Sequence, residues 1–118
     1  MAYDEVLAER IRELLATTAA VDEKRMFGGL AFLVKGNMAV CAARGGGLMV
    51  RVPVEETAEL LTGVHVEPMV MAGKETRGWI RVGPAGLART SQLRSWVSRG
   101  VQHAASLPPK SARPSTRK

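Results

Sequence analysis

Apolar residues recur at helical spacing in two stretches of this chain. Tyr3, Leu7, Ile11, Leu14 and Leu15 mark the first and predict an amphipathic helix over roughly residues 4–17. Glu5, Glu9 and Glu13 stand one turn apart on its other side and read as a solvated face. Leu93, Trp96, Val97, Val101 and Ala104 mark the second, a last helix capped by Thr90 or Ser91, with Arg94, Arg99 and Gln102 on its far side. Between these two the pattern is that of strands. Residues 26–34 are nearly all apolar, Gly36-Asn37 suits a two-residue hairpin, and residues 38–43 return. Gly45-Gly46-Gly47 then connects to residues 48–52, where Leu48, Val50 and Val52 alternate with Met49 and Arg51.

Pro53 opens a short helix that Gly63 closes, with Glu55 and Glu56 at the positive end of its dipole. Pro68 confines the extended segment 64–71 to a sheet edge, and residues 73–77 read as a polar loop. Residues 78–82 form another alternating strand, with Ile80 and Val82 opposite Trp79 and Arg81. The order helix, three strands, helix, two strands, helix predicts an α+β domain over residues 1–107. It has two layers, a largely antiparallel sheet and its helices on one face. Residues 108–118 are rich in Pro, Ser, Lys and Arg and read as a disordered basic tail.

Charge divides the chain unevenly. Residues 1–68 carry seven Lys/Arg against ten Asp/Glu, whereas residues 69–118 carry ten against the single Glu75. Lys110, Arg113, Arg117 and Lys118 lie in the tail, so much of the net charge of +6 comes from there. The acidic start of the chain is unlike a secretory signal, and no apolar run is long enough to span a bilayer, so a cytoplasmic protein is expected.

Catalytic chemistry finds little support. Gly28-Gly29 precedes a strand and Gly45-Gly46-Gly47 joins two strands; neither leads into a helix N-terminus as a phosphate loop does, and they read as a bulge and a hairpin loop. The lone Cys41 sits mid-strand among Ala and Val, and His65 and His103 are isolated. Metal-ligand spacings are absent. No catalytic, cofactor-binding or metal-binding residues are expected, and the chain reads as a non-enzyme.

The outer face of the sheet is the better candidate. If Leu48, Val50, Ile80 and Val82 face the helices, then Met49, Arg51, Trp79 and Arg81 share the opposite face. In residues 26–34, Phe27 and Leu33 alternate with Met26, Leu30 and Phe32, so both faces are apolar there and part of the outer one should be covered. Phe27, Met49, Arg51, Trp79 and Arg81 are therefore the candidate contact residues for a protein partner or a second copy. The rival reading is direct nucleic-acid binding through Arg89, Arg94 and Arg99 with Lys110, Arg113, Arg117 and Lys118 of the tail.

The run Arg25-Met26-Phe27-Gly28-Gly29-Leu30-Ala31-Phe32, followed by Gly36-Asn37-Met38, resembles the N-terminal domain of the TfoX/Sxy competence regulators. Residues 48–52, Glu67-Pro68-Met69, residues 78–82 and 93–97 fall in similar order to that family's later blocks. The resemblance covers roughly residues 3–107 and implies a small bacterial α+β domain without cofactor or catalytic residues. It implies a regulator of DNA-uptake genes whose partner is a transcription factor of the cyclic-AMP receptor type. Those regulators carry a second, helical domain, where this sequence has the basic tail. The family's signature supplies a fold rather than a site, so no binding residue carries over from it.

Overall fold

A computed structural model of the chain describes residues 3–17, 21–26, 28–71 and 73–108. Helix α1 (Glu5–Leu14) leads into four strands, β1 (Val21–Met26), β2 (Gly29–Val34), β3 (Asn37–Ala42) and β4 (Leu48–Arg51). A 3-10 turn at Val54–Glu56 runs into the short helix α2 (Thr57–Leu60). Strands β5 (Val66–Met71) and β6 (Lys74–Val82), a 3-10 turn at Pro84–Leu87 and the long helix α3 (Thr90–Ser106) follow. The strands form one sheet in the order β1-β2-β3-β4-β6-β5, and every neighbouring pair is antiparallel. This is the expected α+β architecture, with one strand more than the sequence pattern suggested.

Local chemistry sets the element ends. The Asp4 carboxylate accepts from the backbone N–H groups of Val6 (2.9 Å) and Leu7 (3.1 Å) and so caps α1. At α3 the cap is Arg89 rather than Thr90 or Ser91: its backbone N–H donates to the Gln92 side chain (2.9 Å), and Thr90 is already helical. Helix α2 is pinned to β6 by Thr57, whose buried hydroxyl accepts from Gly78 N–H (2.9 Å) and donates to the Pro53 carbonyl (3.3 Å).

Both long helices pack on the same side of the sheet. Leu7, Ile11 and Leu15 from the first, and Leu93 and Val97 from the last, close over Leu30, Phe32, Val40, Leu48, Val50, Ile80 and Val82. Helix α3 crosses β3 so closely that a Cβ on Gly100 would lie 2.5 Å from the Ala39 carbonyl oxygen. Only glycine permits that approach.

Four expectations are corrected. Residues 26–34 are not one strand: Met26 pairs with Gly29 across a reversal, with Gly28 at φ +76°, and a charged strand, β1, precedes it. The next hairpin turns on Lys35-Gly36 (φ +54° and +82°), one residue earlier than Gly36-Asn37, as a type I′ turn requires. Residues 74–77 belong to β6 rather than to a loop. Helix α1 ends at Leu14 instead of continuing to residue 17. The expected tail disorder falls on residues outside the described part of the chain beyond Pro108, whose carbonyl accepts from the Asn37 side chain (3.0 Å).

Candidate interaction surface

The face of the sheet turned away from α1 and α3 has a structure of its own. Its floor is made of small residues: Ala31, Cys41 and Ala43 are fully buried, and Gly29 cannot carry a Cβ without meeting the Ala42 carbonyl oxygen at 2.3 Å. Over the floor pack the long side chains of Met26, Met38, Met49, Met69 and Trp79. None of these residues comes from a helix. Met26, Leu33, Met38 and Trp79 are half-buried, so the outer layer is only partly closed.

Register explains how the layer assembles. Across β4 and β6, Met49 lies opposite Arg81 and Arg51 opposite Trp79, all on the open face. The Arg51 guanidinium stacks over the Trp79 ring, 5.7 Å from its centroid. Met38 reaches this face through a bulge in β3: Phe32 pairs with Val40 but Leu33 pairs with Met38, leaving Ala39 extra. Met69 of the edge strand β5 lies on this face two residues beyond Glu67, which pairs with Arg81. Met26 arrives because the reversal between Met26 and Gly29 resets the alternation, so it shares a face with Leu33 and not, as the uninterrupted strand implied, with Leu30 and Phe32.

The predicted contact residues therefore play unlike parts. Trp79 and Arg51 sit together on the open face. Met49 is on it too but is only 7% exposed, so it belongs to the buried layer. Arg81 is half-buried and donates through Nη2 to the carbonyls of Arg44 (3.0 Å) and Gly46 (2.9 Å), bracing the loop between β3 and β4. Phe27 lies outside the described residues. Met26, Met38 and Met69 were missed as members of this face; a turn and a bulge moved the first two there, for which single-strand alternation carries no signal, whereas Met69 shares the parity of Glu67.

The candidate nucleic-acid residues are not gathered. Arg94 and Arg99 stand five positions apart on α3, about 140° around its axis. Arg94 is exposed beside the end of α1, whereas Arg99 pairs with Glu56 (3.1 Å) and lies over Trp96, 5.8 Å from the ring centroid. Arg89 caps α3 with its side chain exposed. Lys110, Arg113, Arg117 and Lys118 lie outside the described residues.

The reactive side chains are likewise apart. Cys41 is fully buried on the open face, and desolvation pushes its thiol up to about 11, so at neutral pH it is protonated and a poor nucleophile. His65 turns the chain into β5 in a left-handed conformation (φ +69°) and lines a shallow groove with Trp96 and Arg99 beside α3. Among the described residues no group of three or more His, Cys, Asp or Glu is placed to hold a metal ion. No helix among them is long and apolar enough to cross a membrane.

The family model for the TfoX N-terminal domain matches residues 13–104. The chain belongs to the TfoX N-terminal domain family. No curated protein matches it. The match takes in all six strands and most of α3. In this TfoX N-terminal domain Gly28, at φ +76°, serves the first hairpin, and Gly29 permits the tight β2–β3 packing.

Proposed function

We propose that this TfoX-type domain is a non-enzymatic, cytoplasmic regulator of DNA-uptake gene expression that acts by binding another protein through its open sheet face. One observation carries this reading: a layer of methionines with Trp79 packs on the helix-free side and is left half-exposed at Met26, Leu33, Met38 and Trp79. Methionine and tryptophan suit such a role, the first by adapting its shape and the second by supplying a large anchor. The buried, protonated Cys41 thiol supports a non-catalytic domain. Direct nucleic-acid contact is the weaker reading, since Arg94 and Arg99 point to different sides of α3 and Arg99 is already paired.

The test is a reporter for a DNA-uptake gene in bacterial cells carrying the native chain, Met38→Glu or Trp79→Ser. Matched thermal unfolding would establish that the variants fold. The reading expects regulation to be lost in folded variants. Full regulation by both would overturn it.

A further inference from the structure

The chemistry of the open face specifies what kind of protein segment fits it, an inference that rests on the functional reading above. The apolar side chains stretch from Met26 on β1 to Trp79 on β6, four strand spacings apart, or ~19 Å at ~4.8 Å each. That span equals ~13 residues of α-helix, three to four turns. Register also places Lys24, Arg51 and Arg81 on this face against Asp22 and Glu67, and the exposed Arg77 lines a groove with Trp79 at its edge, so the described charges there are more positive than negative. The positive charge concentrates at the β4–β6 end, where Arg77 is exposed and Arg51 lies on Trp79.

A second copy of the chain would meet this face with the same positive excess. The chain's own tail, with Lys110, Arg113, Arg117 and Lys118, is disfavoured on the same ground. We infer that the open face receives an amphipathic helix of a partner protein, apolar along one side and acidic where it passes Arg51 and Arg77. Flexible methionines flanked by positive charge match such a helix in both packing and sign. Like-charge juxtaposition would reject a basic one.

Panning a displayed library of random peptides long enough for ~4 helical turns against the full chain tests this without presupposing a sequence. The expected winners carry apolar residues at i, i+3, i+4 and i+7 flanked by Asp or Glu, and become helical when bound. Their binding should fall about tenfold or more on Arg77→Glu or on the double variant Arg51→Glu/Arg77→Glu, and panning on the double variant should select basic peptides instead. Arg77 is exposed, so its reversal leaves the fold intact and isolates the charge effect. Winners that are basic, extended or indifferent to Arg77→Glu overturn the acidic helix; if they still depend on Met38, the functional reading survives. Failure to capture any peptide on this face also overturns the inference. Displacement of captured peptides by short duplex DNA would overturn it in favour of a nucleic-acid surface.

Discussion

The two faces of the sheet are built from different residues for different ends. The helix side is Leu, Val, Ile and Phe, buried by α1 and α3, and its side chains are stiff enough to fix one packing. The open side has a floor of Ala and Cys under adaptable methionines, and among the described residues no helix side chain joins that cluster. The larger buried core therefore lies on the helix face, and the open face carries a smaller one under a half-buried outer layer. Adjacent residues make the contrast sharp. Phe32 is 1% exposed under the helices, and Leu33, next to it in β2, is half-buried on the open face.

Breaking this contrast should produce the largest effect. Phe32→Ala leaves a cavity between sheet and helices and should cost about 3–5 kcal/mol, a large fraction of the ~5–15 kcal/mol that holds a small domain together. Leu33→Ala, one residue on, should cost about 1 kcal/mol or less. Urea unfolding of the two variants checks the ordering. Equal losses would mean that the open face is as much a core as the other.

A second comparison separates two arginines of the open face. Arg81→Ala removes two hydrogen bonds to the carbonyls of Arg44 and Gly46 and should cost about 1–3 kcal/mol, read by thermal unfolding. Arg51→Ala removes a stacking contact on Trp79 and should cost less than ~1 kcal/mol while weakening partner binding. A reversed order would make Arg51 the brace and Arg81 the contact.

How much of this was legible in the sequence follows from the same contrast. The helix face was: alternation in residues 48–52 and 78–82, and helical spacing around Leu7, Ile11, Leu93 and Val97, named most of its core. Strand β1 was not, because four consecutive charged residues, Asp22 to Arg25, give no apolar alternation. An edge strand needs none, and charge there protects against edge-to-edge pairing. The open face was read in part. Trp79 and Arg51 fell where expected, but Met26 and Met38 owe their positions to a turn and a bulge, which shift parity without marking the sequence. The role of Arg81 was hidden for another reason. Its partners are backbone carbonyls nearly forty residues upstream, and carbonyls leave no trace in residue type.

The smallest expected effect lies where the charged edge strand meets the helix layer. Arg12 of α1 holds Glu23 of β1 by two bonds, Nε to Oε2 (2.7 Å) and Nη2 to Oε1 (2.8 Å), and also reaches Glu9 (3.1 Å). The bond from Arg12 holds the Glu23 carboxyl below its ordinary range, against the opposing effect of desolvation. A lowered carboxyl pKa stabilises the fold above the unfolded value, ~4.3 for glutamate, and the contribution is lost as pH falls through the folded value. The two side chains are 39% and 38% exposed, so solvent screens the pair, and Glu23→Gln should cost less than ~1 kcal/mol at neutral pH. The difference between native and Glu23→Gln stability should shrink as the pH is lowered below the unfolded carboxyl pKa and as salt is added. Thermal unfolding of both chains across the acid range decides it. A difference that persists in acid would show that Glu23 holds β1 to α1 by packing rather than by charge.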